Sequence, residues 1–310
     1  MTPDLVLLGN LIADDVVLAD GSTRMNQPGG AILYASLAAT LCGIRAGVCA
    51  PRGSDYPRAT LDALATRGVD LAGLRPMGRA GLRTWLLYEA AARRVVHRLG
   101  GPSHAEASPA PGDLPAGWRA ARAFHIAPIP LDCQRPLVAE LSAIAGAWLS
   151  IDPHDPITED SLASWRETLA RVDMLFVSDE ELTLADADPR ARLRRLAGGR
   201  LSWVALKRGD RGGLLYDLQA DRAHEWSPRV AATVDPTGAG DAFAAGVLAR
   251  WIADPAAAGS DATLREALDQ GVAMAAFALE DWGAAGLLAA TPPSARARLD
   301  EWFGARARAT

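Results

Sequence analysis

The stretch TVDPTGAGDAFAAGVLARW, Thr233 to Trp251, decides how the chain is read. Gly238, Ala239 and Gly240 stand between Asp235 and Asp241, and Phe243, Val247, Leu248 and Trp251 then recur at helical spacing. The small residues therefore fall at a helix N-terminus, where backbone N–H groups lack intrahelical partners and the positive end of the helix dipole lies. Small side chains let an anion approach that backbone, so the run has the outline of a phosphate site. The same dipole keeps a first-turn aspartate ionised, so Asp241 is suited to take a proton from a hydroxyl that attacks phosphorus. Glycine turns and first-turn aspartates are also ordinary α/β architecture, so the run by itself leaves a structural role open. It satisfies neither Gly-x4-Gly-Lys-Ser/Thr nor Gly-x-Gly-x-x-Gly, which removes the main support for a Walker-type or dinucleotide loop. The preceding RVAATV, Arg229 to Val234, reads as a strand that delivers the chain to this turn.

Working outward, short apolar runs alternate with helical patterns. The runs are LVLLG (Leu5 to Gly9), AGVCA (Ala46 to Ala50), FHIAPI (Phe124 to Ile129), WLSID (Trp148 to Asp152), MLFVSD (Met174 to Asp179) and WVALKRG (Trp203 to Gly209). Helix candidates include Ala31 to Leu41, Ala59 to Gly68 and Pro136 to Ala145, and Leu264 to Leu287 reads as a helix ending near Gly283. Continuous apolar strands separated by helices predict a mostly parallel sheet covered on both faces, a layered α/β/α domain. Two segments break the rhythm. Ile12 to Met25 carries an Asp20-Gly21 turn inside a strand-like run, and Arg83 to Leu99 reads as two strands joined near Ala90 to Ala92. They predict either edge hairpins or a small sheet standing off the body as a lid.

The 310 residues contain no Ser, Gly or Pro-rich linker, which favours one domain spanning 1–310 with insertions. Hydrophobic residues at 49% and charged residues at 22% are ordinary for a globular protein. A net charge of -5 without a Lys/Arg stripe argues against nucleic-acid binding. Cys42, Cys49 and Cys133 have neither metal-ligand spacing nor a disulfide pattern, and no stretch reaches the roughly 18 apolar residues of a membrane span. A cytoplasmic protein without a membrane partner is expected.

Other residues suggest ligand contacts. Gly29 and Gly30 precede a helix, where exposed backbone suits a polyhydroxylated ligand or forms a simple turn. Asp14, five residues past Gly9, offers a carboxylate for hydroxyls or is a solvated loop acid. Asp152 and His154 follow a strand on the side of the sheet where open α/β folds bind ligands. The histidines, His97, His104, His125, His154 and His224, read as isolated.

At this point the pattern becomes specific. DPTGAGDAFAAG resembles the C-terminal signature of the PfkB (ribokinase-like) carbohydrate kinases, and LGNLIADD, GGAILYASLAATLCG, SDEE and LKRGDRGG fall in that family's order across nearly the whole chain. The resemblance implies a ribokinase-like three-layer α/β/α sandwich with a small β-sheet lid built from about 12–28 and 83–99. It implies ATP-dependent phosphorylation of a hydroxyl on a small sugar or polyol, with a nucleoside as the alternative acceptor. A binding protein that has lost turnover is a further alternative.

In the family's terms Asp241 is the base and the backbone of Gly238, Ala239 and Gly240 the anion hole. Asp14, Gly29 and Gly30 match acceptor-binding positions. Tyr34 stands where many sugar kinases carry an asparagine, and it either covers a flat ring face or packs in the core. Lys207, Gly209, Gly212 and Thr237 match nucleotide-side positions. Lys207 replaces a threonine, and it either meets ATP phosphates or caps the strand into solvent. Glu181 matches the glutamate of an Asn-x-x-Glu motif that helps hold Mg2+ through water, here with Ser178 for Asn. Asp235 matches a position associated with a monovalent cation such as K+. A lid sheet with an apolar outer face often pairs between subunits in similar proteins, so Val16, Val17, Trp85 and Leu87 either form a homodimer contact through the lid or face the protein's own core.

Overall fold

The structure, a computed structural model, describes residues 2–89, 93–230, 232–254 and 259–307. The chain opens with β1 (Leu5–Leu8), β2 (Ile12–Val17), β3 (Thr23–Gly29) and α1 (Ala31–Leu41), then β4 (Ala46–Arg52), α2 (Arg58–Thr66), β5 (Asp70–Pro76), β6 (Arg83–Tyr88) and β7 (Arg93–His97). It continues through β8 (Ala123–Ile126), α3 (Leu131–Leu141), β9 (Trp148–Ile151), α4 (Leu162–Leu169), β10 (Met174–Ser178), α5 (Pro189–Arg194) and β11 (Trp203–Lys207). A 3-10 turn at Gly209–Arg211 leads to β12 (Gly213–Asp217) and β13 (Arg222–Trp226), followed by α6 (Ala239–Ala253), α7 (Asp261–Leu279), α8 (Ala285–Ala289) and α9 (Pro292–Ala307).

The main sheet has nine strands in the order β13-β12-β11-β10-β9-β8-β1-β4-β5. Pairing from β11 to β5 is parallel, and β12 and β13 add an antiparallel edge. Strand alternation divides the core. Leu5 and Leu7 of β1 join the cluster built on α1, α6 and α7, whereas Val6 and Leu8 join the one built on α3, α4 and α5. Both faces are covered, which is why the parallel strands read as continuous apolar runs. Strand order reverses between β1 and β8, so ligand-binding loops are expected at the strand C-termini flanking that point.

The two rhythm-breaking segments form a separate four-stranded sheet, order β3-β2-β6-β7. Each segment is an antiparallel ribbon, as expected, and the ribbons join through parallel β2–β6 pairing. The turn expected near Ala90 to Ala92 lies outside the described residues.

Several boundaries differ from expectation. Residues 229–234 form no strand among the described positions; β13 ends at Trp226, and the N–H groups of Val234 and Asp235 donate to the Leu279 carbonyl at 2.7 and 3.3 Å. The end of α7 thus takes the donors a neighbouring strand would have used. That helix stops at Leu279, four residues before Gly283, because the Gly283 N–H is drawn to the Asp235 carboxylate at 2.9 Å. The helix expected at Pro136 to Ala145 begins earlier, at Leu131, whose N–H donates to Asp155 at 2.6 Å, and keeps Pro136 inside it.

One core histidine gives a pH test. His125 is 1% exposed, with Nδ1 2.9 Å from Ser150 Oγ. Burial, with a smaller contribution from Lys207, pushes its pKa down to about 3. A base depressed by folding contributes stability that is full above its unfolded value of about 6.5 and is lost as pH falls toward about 3. Urea unfolding should therefore show lower stability at about pH 5 than at about pH 7.5. In His125→Gln that acid-side loss should shrink; an unchanged pH slope would remove His125 from the account.

Candidate active site

Helix α6 begins where the sequence places it. Gly238 is its N-cap with φ 76°, a left-handed conformation that glycine adopts without a Cβ penalty. Any Cβ there would also collide with the ring of Tyr34. Asp241 is the acidic residue of the first turn. The helix is apolar on nearly every face, burying Phe243, Val247, Leu248 and Trp251 among others, so its N-terminus is fixed by core packing on both sides.

Asp235 locks the turn before it. Its Oδ1 accepts from the Thr237 N–H at 2.9 Å and from Thr237 Oγ1 at 2.6 Å, and its Oδ2 accepts from the Gly283 N–H. Fully buried, it follows a turn rather than a strand, and its carboxylate serves as a cross-link between the α6 turn and the segment after α7. Thr237 is further bonded, through Oγ1, to Tyr88 Oη at 2.8 Å. The small sheet therefore touches the α6 turn directly.

Three further charged groups reach this turn from the C-terminal ends of β9, β10 and β11. Lys207, the last residue of β11, has its Nζ 2.6 Å from Asp152 Oδ2, with the two side chains 17% and 1% exposed. It is not the solvent-facing cap that remained open from sequence. A methyl group at Gly240 would lie 3.3 Å from the same Nζ, so the ammonium sits against the α6 N-terminus. Burial works against the ammonium, but the carboxylates of Asp152 and Glu181 outweigh it and keep Lys207 protonated. Burial pushes the Asp152 carboxyl up to about 8 against the attraction of Lys207, and its Oδ1 is buried with no partner among the described residues.

Glu181 explains the serine at 178. Its Oε2 accepts from the Ser178 N–H at 2.7 Å while Ser178 Oγ accepts from the Glu181 N–H at 3.2 Å. This reciprocal Ser-x-x-Glu exchange is the capping-box pattern, and serine completes it as well as asparagine would. Gly209 lies in the 3-10 turn after β11 and Gly212 ends it, packed on the backbone of Trp226. Both follow Lys207 in the chain and take no part in the charged group.

The acceptor-side residues gather under the small sheet. Asp14, on β2, is 5% exposed and its carboxylate occupies the space a Cβ at Gly29 would need. Gly30 has φ 97° and packs against the Asn10 carbonyl, where no side chain fits. Tyr34 is 2% exposed and belongs to the core cluster, yet its ring covers Gly238, so it links the glycine pair to the α6 turn. Burial, then the charges of Asp14 and Asp235, hold its hydroxyl neutral.

The histidines overturn one expectation. The ring of His104 lies 5.3 Å from that of His97 and 4.3 Å from that of His154, so these three are not isolated. Their sequence separations give no local motif, and only the fold brings them together. Tyr88 was missed for the same reason, although strand alternation from the buried Thr84 places both on one face.

Among the described residues no helix is long and apolar enough to cross a membrane, no group of three His, Cys, Asp or Glu side chains is set to hold a metal, and Cys42, Cys49 and Cys133 are free.

Residues 4–290 match the model of the pfkB family of carbohydrate kinases. The chain is 27% identical over 287 residues to a cytidine kinase of Thermococcus kodakarensis, covering 90% of this chain and 97% of that one. It superposes with a TM-score of 0.72 on the E. coli protein solved as ribokinase II with ATP and Mg2+, at 19% identity and covering 97% and 100% of the two chains. A Vibrio cholerae fructokinase variant bound to fructose, ADP and potassium ion matches with a TM-score of 0.74, 19% identity and 96% and 99% coverage. The fold is accordingly ribokinase-like. With the α6 turn, the glycine pair and the small sheet linked through Tyr34 and Tyr88, and a family model matching nearly its whole length, this chain belongs to the pfkB family of carbohydrate kinases, phosphotransferases with an alcohol acceptor.

Proposed function

We propose that the chain transfers the γ-phosphoryl group of ATP to a hydroxyl of a small sugar or polyol. The observation that carries this is the convergence of Asp241, the Gly238–Gly240 backbone and Lys207 at one helix N-terminus. Asp14 and the backbone at Gly29 and Gly30 hold the acceptor's hydroxyls. Asp241 removes the proton from the hydroxyl that attacks, which is a general base acting on a positioned oxygen. The N–H groups of the α6 turn and the Lys207 ammonium face the negative charge of the transferring group, and phosphoryl transfer gains most from such positioning and charge stabilisation. Thr237, Gly209 and Gly212 border the nucleotide side.

The donor set fits Mg2+ accompanied by ATP. That ion keeps several waters and needs only one or two carboxylates besides phosphates, and Glu181 beside Lys207 supplies one through water. When bound, the metal neutralises phosphate charge. Asp235 fits a monovalent cation less well, because its carboxylate is already occupied by three hydrogen bonds from the protein.

A nucleoside acceptor is the second reading, favoured by the match to a cytidine kinase over 97% of that protein. ADP release with ATP and Mg2+ across sugars, polyols and nucleosides tests both. Stimulation by one class supports that class. Silence across the panel, with thermal stabilisation by ATP, would replace the kinase reading with a binding protein.

We also propose a homodimer through the small sheet, since among the described residues the exposed large apolar residues Met25, Trp85, Val96 and Leu99 lie on its segments, with Val95 on the opposite face beside Leu86. Trp85 and Val96 are cross-strand partners and stand side by side on one face. Light scattering should give twice the chain mass, and Trp85→Glu with Val96→Glu should give a monomer. A monomeric parent protein would dispose of the proposal.

A further inference from the structure

The row of side chains across the small sheet extends the acceptor site well past Asp14. Gln27, Asp14, Thr84 and His97 are direct register partners on β3, β2, β6 and β7, so they stand side by side on one face. Asp14 and Thr84 are 5% and 2% exposed, so that face is turned to the body. Two strand spacings separate Asp14 from His97, roughly 10 Å. An acceptor hydroxyl held at Asp14 leaves that distance to be filled by the rest of the molecule.

The far end is walled by imidazoles from three elements: His97 on β7, His104 in the turn that follows it, and His154 two residues past Asp152. Each of the first two is oriented by a neighbour. His97 Nδ1 lies 3.3 Å from Thr84 Oγ1. Asn10 donates its amide to the Ala107 carbonyl at 2.6 Å, which fixes its Oδ1 as the atom facing His104 Nε2 at 2.7 Å. His104 Nε2 must therefore carry the hydrogen, and its Nδ1 is left as a lone pair. That Nδ1 is buried and has no partner among the described residues. A buried acceptor without a donor is costly, and a ligand that supplies one is favoured by the same amount. Burial first, then His154 and His97, push the His104 pKa down to about 3, so it remains a neutral acceptor.

We propose that His97 and His104, held by Thr84 and Asn10, are specificity-determining residues that select an acceptor extending beyond a single sugar, its far portion a second ring bearing an N–H or O–H donor. The proposal rests on the kinase reading and, within it, takes the two-ring, nucleoside-type acceptor over the single sugar or polyol. A lone monosaccharide satisfies Asp14 and leaves the imidazole wall unpaired. Sites built to hydrogen-bond a ligand group discriminate against analogues that lack it, because their own polar groups are then stranded.

Calorimetric titration separates this from the kinase reading because it needs no turnover. The probes are cytidine, which carries a second ring with an amine donor, and ribose and fructose, which do not; ATP is titrated as the control for folding. Cytidine should bind at least about tenfold more tightly than either sugar, the worth of one well-placed hydrogen bond. His104→Phe keeps a ring but removes the lone pair, and His97→Asn is a second, milder variant. Each should weaken cytidine about tenfold and leave ribose and ATP within about twofold. Absence of cytidine binding, a preference for either sugar, or cytidine affinity unmoved in both variants overturns the inference. ADP release by the native protein on the same probes reports the kinase reading independently, since its loss in Asp241→Asn does not depend on the histidines.

Discussion

Asp241→Asn should lower kcat by about 10²–10⁴-fold, the range lost with a general base, while KM for ATP and acceptor stays within a few-fold. The substitution is nearly isosteric. It preserves the first turn of α6 and the Gly238 to Gly240 backbone, whose conformation is set by the left-handed Gly238 and by Tyr34 packed on it. The asparagine amide cannot take the hydroxyl proton. A loss confined to kcat marks an interaction made only in the transition state. Steady-state kinetics with saturating ATP and Mg2+ measures it. Retention of more than about a tenth of the activity would mean that the proton leaves by another route and that Asp241 serves only to cap the helix.

Lys207→Met should cost activity and stability together, by separable mechanisms. Removing a preorganised donor from developing charge costs about 10²–10³-fold in kcat. Removing one partner of a buried pair costs about 3–5 kcal/mol where the other is left charged, which here applies once Asp152 ionises. The stability part depends on pH in a defined direction. Asp152 is raised by folding from 3.8 to about 8, so its contribution is full below the lower value and is lost as pH rises toward the upper one. Without Lys207 the carboxyl is raised further, so the penalty in urea unfolding should stay level below about pH 7 and grow as pH rises past about 8. Asp152→Asn combined with Lys207→Met removes the stranded charge and should recover stability at high pH without recovering kcat. Recovery of activity in that pair would show that Lys207 acts through folding alone.

The contrast between these two sites shows what a sequence discloses. Asp241 and its turn are legible because every element of the arrangement lies within a few residues, and glycine, aspartate and helical periodicity each have a local meaning. The parallel strands are legible for the same reason: burial on both faces leaves an uninterrupted apolar run such as Met174 to Val177. The Lys207–Asp152 pair is assembled across 55 residues of chain, and at the sequence level each member has several equally good roles. His97, His104 and His154 have no common period. Ser178 looked like a loss of a ligand, whereas in the fold it completes a turn with Glu181. The misplaced strand at Arg229 to Val234 failed differently. Its β-branched residues favour extended backbone, but its donors found the carbonyl end of α7, a partner that propensity cannot foresee.

The parallel junction of β2 with β6 has a mechanical consequence. A flap made of one hairpin bends at one root and can peel strand by strand. Here two ribbons about 70 positions apart are bonded edge to edge, and the Tyr88–Thr237 contact latches the C-terminal end of β6 to the α6 turn. Any swing of the assembly would therefore be that of a stiff plate, pivoting at once on every connection that ties it to the body. Collective motions of that kind run on the microsecond to millisecond scale. Were that plate to close over bound product, escape would be a single concerted event, and it would set an upper bound on turnover however fast the chemistry became.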